Sequence, residues 1–214
     1  FATVLAAAFI GATAVTLLMF SLSSIIRSDA MLLIAGVMVG YLSSSIIVLL
    51  SYYASEEGLR AYTLWGMGNF ASVSTERLPL FSIIAVVCLS ASVLLVKSLN
   101  ILSLGTLYAE NLGVNTRQLR GTVLIVTGIL TALTTSFCGP VAFIGLAVPH
   151  IARMALHTDD YRKLLPATIL TGGGVAMACN LACTMTPSGT MLPVNAVTPV
   201  IGAPVILYVM TRRR

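Results

Sequence analysis

Charge is what this sequence has least of. Twelve basic and seven acidic residues make up 9% of 214 positions, where a soluble domain carries ~25%. Nineteen charges do not cover the surface of a soluble globule of this length. A soluble enzyme or a nucleic-acid-binding protein is thereby disfavoured, and with 57% apolar residues an integral membrane protein is expected. The net charge of +5 then reports loop orientation rather than a nucleic-acid partner.

Other shortages close further routes. Lysine occurs only as Lys97 and Lys163, and neither follows glycine, so no phosphate-binding loop is present in this chain. The two histidines, His150 and His157, form no zinc-protease motif. Ser188 precedes Gly189 without the full elbow of a serine hydrolase. Cys88, Cys138, Cys179 and Cys183 lie in apolar runs without a CxxC pair and read as small buried hydrophobes. A metal site at Cys179 and Cys183 would have only Asn180 beside it. No catalytic set, cofactor site or metal site is expected, and the chain reads as a non-enzyme. It opens on Phe1 with no basic segment ahead of the first apolar run, which predicts an internal start rather than a signal peptide.

What is abundant is apolar length. A crossing helix needs ~20 such residues. Runs at 1–22, 31–53, 80–96, 164–184 and 194–211 each read as one span. Residues 121–152 form a longer uncharged stretch. Gly139-Pro140 divides it into a fourth span, 121–138, and a short fifth, 141–156, kinked at Pro149. The fifth is short enough to be re-entrant, and the basic residues decide. If it crosses, Arg27, Lys97, Arg117, Arg120, Arg153, Arg162, Lys163 and Arg212 to Arg214 share one side, against Arg60 and Arg77 on the other. The positive-inside rule favours that arrangement. The expectation is an all-α bundle of about seven transmembrane helices forming a single membrane domain over 1–214. Residues 54–78 are expected outside, with an interfacial helix carrying Trp65, and 98–120, 157–163 and the C-terminus inside. Thr186-Pro187-Ser188-Gly189 reads as a turn.

The spans hold no carboxylate, although self-powered carriers place acids at membrane depth. His150 is read as a packing residue near the inner boundary. Gly36 with Gly40, and Gly172 to Gly174, suit close helix approach. Ser43, Ser44 and Ser45 point all round the second span, so one can face a polar path or bond back to its own helix. In the segment 98–120, Leu104, Leu107, Tyr108 and Leu112 share one face of a short helix. Gly113 is placed as its C′ residue, and Asn115 as the cap of the next helix, which carries Arg117 and Arg120. Such a projection suits docking of a soluble partner, or it lies flat on the membrane.

The stretch Gly139-Pro140-Val141-Ala142-Phe143-Ile144-Gly145-Leu146-Ala147-Val148-Pro149-His150-Ile151-Ala152-Arg153 resembles the GPIGFIGLxxPHIxR signature of the permeases of ATP-binding-cassette importers for iron-siderophores, heme and vitamin B12. Asp160-Tyr161-Arg162 with Leu164-Leu165-Pro166, Leu192-Pro193, Ile201-Gly202-Ala203-Pro204-Val205, Leu33-Ile34-Ala35-Gly36 and Trp65-x-Met67-Gly68 extend the likeness along the chain. The resemblance implies a ten-helix permease of which these seven spans are the fourth to tenth. It implies a multi-pass protein of the bacterial inner membrane that pairs with a second permease copy, a cytoplasmic ATPase dimer, a substrate-binding protein and membrane lipid. It assigns ATPase coupling to Leu104, Gly105, Tyr108, Ala109, Glu110, Leu112, Gly113 and Arg117. The gate and path fall to Ser28, Asp29, Ser43, Ser44, Ser45 and Asn195. Departures from the pattern are Asn180 and Thr184 in place of Asp and Arg, Tyr161 in place of His, and Asn195 in place of Gly. The alternatives are a self-powered transporter or channel, for which the spans lack acids, and a membrane-embedded enzyme, for which no reactive set is present.

Overall fold

A computed structural model describes residues 2–26, 28–70, 73–185 and 192–212. Arg27, Arg213, Arg214 and the expected turn at 186–189 lie outside the described residues, as do the side chains of Asp29 and Arg212. Among the described residues the fold is all-α, with nine helices: α1 Ala2–Ile25, α2 Asp29–Tyr52, α3 Glu56–Gly66, α4 Leu78–Leu102, α5 Thr106–Asn111, α6 Thr116–Cys138, α7 Ile144–Leu156, α8 Tyr161–Thr184 and α9 Val194–Arg212.

Four of these, α1, α2, α6 and α8, are individually long and apolar enough to cross a bilayer. α4 bends by 48° between Leu94 and Val96 and makes a fifth if counted as one span. α7 and the apolar part of α9, Val194–Leu207, are shorter. Of the seven spans expected from the sequence, five are thus long and apolar enough, and α7 and α9 are each shorter than a straight crossing. Two sets of contacts define the ends of the bundle. At the α5 end, Asn100 at the close of α4 bonds to Asp160 and Tyr161 at the start of α8. At the α3 end, the N–H groups of Asn69 and Asn195 donate to Cys138 O at 2.8 Å and Met67 O at 3.0 Å.

Gly139 belongs to the α3 end, against Trp65 and Gly68. Residues 139–143 are not helical and run inward, bringing Phe143 against Gly202, eight residues into α9 and so ~12 Å deep. The thirteen residues of α7 add ~20 Å and end at His157, next to the α5 end. The non-helical piece and short helix together match a ~30 Å hydrocarbon core. The 141–156 run thus passes from one end to the other.

Small residues set the packing, as expected where burial in lipid gives helices no hydrophobic drive to associate. α1 lies on α6 because Gly121 receives the Phe20 ring, 2.7 Å from where a Cβ would stand, and Gly128 receives Thr16. The α7–α9 contact depends on Gly202, where a Cβ would lie 2.8 Å from Phe143 Cβ. Of the glycines expected from the sequence to pack closely, Gly36 and Gly172 only touch Met19 and Val148, and Gly40, Gly173 and Gly174 face open space. The helix centre is lined by Ala132, Leu133, Ala147, Val148, Ala152 and Cys179. All four cysteines are buried and free. The apolar spans of α1 and α2 hold no buried residue.

Candidate functional site

The 98–120 segment folds as its local sequence dictates. Gly105, at φ 115°, turns the chain out of α4 and caps α5. α5 closes on Leu112, and Gly113 follows at φ 82°, the left-handed C′ position. The Gly113 N–H donates to Glu110 O at 2.9 Å and the Val114 N–H to Ala109 O at 3.0 Å, which is the paired bonding of a Schellman turn. Asn115 then caps α6, its Oδ1 accepting from the Gln118 N–H at 3.0 Å. Across the turn, the Thr116 hydroxyl donates to Glu110 Oε1 at 2.7 Å. The two helices are therefore fixed in angle by their own bonds.

This rigid turn has two unlike faces. Ala109 is fully buried, while Leu104, Leu107, Tyr108 and Leu112 are 66, 80, 55 and 56% exposed. An uncovered apolar face of this kind marks a contact surface for protein or for membrane. Arg117 is exposed beside it.

The same end gathers part of the 139–166 motif. Asp160 caps α8, its Oδ1 accepting from the Arg162 N–H at 2.9 Å and from Asn100 Nδ2 at 2.6 Å. The first of these bonds, then the second, holds its carboxyl below the usual carboxylate range. Arg153 lies in the last turn of α7, where a cation suits the helix dipole, and its Nε is 3.6 Å from Asp159 Oδ1. His157 ends α7 in a left-handed conformation, φ 49°.

Other motif residues serve the backbone. Gly139, φ 79°, and Gly68, φ 70°, allow main chain to lie against main chain, with Gly139 against Trp65 O and Gly68, and Gly68 against Pro140 O. Phe143 holds φ 68° at the start of α7, a strained conformation for a bulky residue. Gly145 meets no neighbour. Pro149 lies within α7, and His150 Nδ1 is 2.9 Å from Leu146 O, so the imidazole is engaged with its own helix.

The residues expected at a gate and along a path are distributed over the length of the bundle. Ser28 is the N-cap residue of α2 without a side-chain capping bond, at the α5 end. Ser43 bonds back to Val39 O at 2.9 Å, and Ser44 and Ser45 are exposed on α2. Asn195 lies at the opposite end, its Nδ2 donating to Gly66 O at 3.3 Å. Sequence reasoning missed Asn100, whose partners lie sixty residues away. Its signal was a lone amide just beyond Lys97, where the apolar run of α4 stops.

The FecCD transport family matches residues 1–212. The chain is 30% identical over 211 residues to a vitamin B12 import system permease protein, BtuC, of Klebsiella pneumoniae. It is 31% identical over 208 residues to a hemin transport system permease protein, HmuU, of Yersinia pestis. In each case 97% of this chain is matched, and it spans 62% of the relative's length. A solved structure described as an inward-facing conformation of a metal-chelate type ABC transporter superposes with a TM-score of 0.84 at 30% identity, covering 98% of this chain and 71% of that one.

Proposed function

Because this chain belongs to the FecCD transport family, we propose that it is the membrane-spanning permease portion of an ATP-driven importer for a metal chelate, heme or cobalamin. The observation that carries the proposal is the exposed apolar face of Leu104, Leu107, Tyr108 and Leu112, set on a turn locked by Gly113 and by Thr116–Glu110. This face is the docking surface for a cytoplasmic ATPase dimer. The α5 end is cytoplasmic and the α3 end faces the substrate-binding protein, an orientation supported by ten basic residues against two. The location is the bacterial inner membrane.

The mechanism follows from the bonding. This sequence has no phosphate-binding loop, so in this reading work arrives as displacement of α5. Thr116–Glu110 and the Schellman turn pass that movement to α6 without slack. From the close of α4, Asn100 passes it to the first turn of α8. α1 and α2, with no buried residue in their spans, have faces left for a second permease copy and for lipid. Ser44 and Ser45 lie along such a face and border the substrate path.

The test is uptake by vesicles holding the full-length permease, its ATPase and a binding protein. ATP inside should drive uptake, and a proton gradient without ATP should not. Gradient-driven uptake without the ATPase would overturn the reading.

A further inference from the structure

The break between α6 and α7 leaves backbone donors without acceptors. Among the described residues, the N–H groups of Val141, Ala142, Phe143 and Gly145 have no hydrogen-bond partner. They stand at the N-terminus of α7, a helix of thirteen residues, about 12 Å in from the α3 end. Ala142, Phe143, Gly145 and Leu146 are exposed, and a Cβ at Gly145 would meet nothing within 4 Å. Non-helical backbone with free donors does not face lipid at this depth, because hydrocarbon accepts no bonds from it. It occurs where protein covers it or where it lines a water-filled cavity. In a transporter that cavity is the substrate path.

A second observation lies across from this helix end, on α9. Thr198 is 2% exposed, and its hydroxyl is buried without a partner. Other hydroxyls bond back along their own helices, as Thr168 does to Leu164 O. Four residues on from Thr198, Gly202 meets Phe143. Three residues before it, the Asn195 nitrogen and Pro140 O both lie within 4 Å of a Cβ position at Gly68. Residues 195, 198 and 202 share one face of α9, so Thr198 faces the stretch between Pro140 and Phe143, where the free N–H groups are. The Asn195 amide belongs to the α3 end, with its Nδ2 on Gly66 O and its Oδ1 unpartnered one turn farther out. The stretch thus presents donors at the positive end of a helix dipole, which suits an anion. No cationic side chain occurs between Arg120 and Arg153. A neutral donor set holds a single negative charge loosely, as a passing solute requires.

We propose that the N-terminus of α7 is a station for a carboxylate group of the transported solute, held by the free N–H groups of this stretch and by the Thr198 hydroxyl. The station's place in a substrate path rests on the transport reading. The anion preference of this helix end does not.

The test uses the full-length permease, its native cysteines replaced, in lipid nanodiscs that leave both faces open. Gly145 has open space and no left-handed backbone, so Gly145→Cys fits there. It is treated with a sulfonate-bearing methanethiosulfonate, whose oxyanion stands in for the carboxylate, and with the trimethylammonium counterpart. Each rate is divided by that on free 2-mercaptoethanol. Leu170→Cys, 77% exposed within the apolar span of α8, is the control that neither reagent should reach. At Gly145→Cys the normalised sulfonate rate should exceed the trimethylammonium rate about fivefold. Citrate at constant ionic strength should slow the sulfonate reagent about threefold. Thr198→Val should remove that protection without lowering the melting temperature, since the hydroxyl it replaces has no partner. ATP-driven uptake by the cysteine-free parent, with its ATPase and binding protein, tests the transport reading separately. No reaction at Gly145→Cys with either reagent would overturn the proposal, because lipid or protein would then cover the helix end. So would equal normalised rates for the two reagents, or equal citrate protection in Thr198→Val.

Discussion

Asn100 and Asp160 stand sixty positions apart and form a reciprocal clasp. The Asn100 amide donates to Asp160 Oδ1 at 2.6 Å, and its own Oδ1 accepts from the Tyr161 N–H at 2.8 Å. The end of α4 is thereby fixed to the first turn of α8, whose leading N–H groups would otherwise lack partners. Asn100→Ala should lower stability, since losing the bond to the Tyr161 N–H alone costs about 1 kcal/mol. Asn100→Asp should be worse than its size suggests, because it sets a second carboxylate against Asp160. Thermal unfolding of the full-length protein in detergent checks both.

The clasp also has a pH signature. Asp160 is held below the ordinary carboxylate range, first by the Arg162 N–H and then by Asn100. A depressed acid contributes stability that is complete above its unfolded pKa of about 3.9 and is lost as pH falls through the lower, folded value. Neutral and mildly acidic buffers should leave the clasp unchanged. Stability attributable to it should fall below about pH 4. In Asp160→Asn that part of the acid-induced loss should disappear. An equal acid dependence in wild type and variant, followed by melting temperature against pH, would contradict the assignment.

At the α1–α6 contact, Gly128 receives Thr16, and a Cβ at Gly128 would overlap that side chain. Gly128→Val should destabilise by about 1–3 kcal/mol. Thr16→Gly in the same protein should recover part of the loss, because it removes the overlapping atoms. A double-mutant cycle on melting temperature tests this. Additive effects would show that the two residues do not meet.

Much of the local structure was legible before the fold was known. The apolar runs place α1, α2, α4, α6 and α8, and Gly113 and Asn115 announce the α5–α6 turn, because caps depend on residues within one turn of each other. Pairings distant in the chain left no such mark. Asn100 with Asp160, and Gly202 with Phe143, are set by how helices lie together. Gly36 and Gly40 looked like packing glycines by spacing, yet Gly121, Gly128 and Gly202 do that work, since spacing does not tell which face meets a neighbour. The fifth crossing combines a non-helical segment with a short helix, and counting apolar residues alone does not reveal that form. The gate and path residues were named by resemblance, and Ser28 and Asn195 lie at the two ends of the bundle.

Gly113→Val should spare membrane insertion and uncouple transport. No atom crowds a Cβ at Gly113, so the cost is the left-handed backbone, about 1–2 kcal/mol for a residue with a Cβ. Valine adds branching, and asparagine tolerates the conformation better, so Gly113→Asn should be milder. The readout is substrate-stimulated ATP hydrolysis at matched expression in the full-length permease with its ATPase. Normal hydrolysis in Gly113→Val would remove the turn from the coupling path.

The measurement closest to the central claim is whether an ATPase binds the exposed face of α5. Leu107 is 80% exposed, so Leu107→Asp should leave the permease folded, with an unchanged melting temperature. Co-purification of the full-length, tagged permease with the ATPase should fall at least tenfold, because a carboxylate would have to be buried at the contact. ATP-driven uptake should fall with it. Undiminished co-purification and uptake in Leu107→Asp would contradict docking at this face.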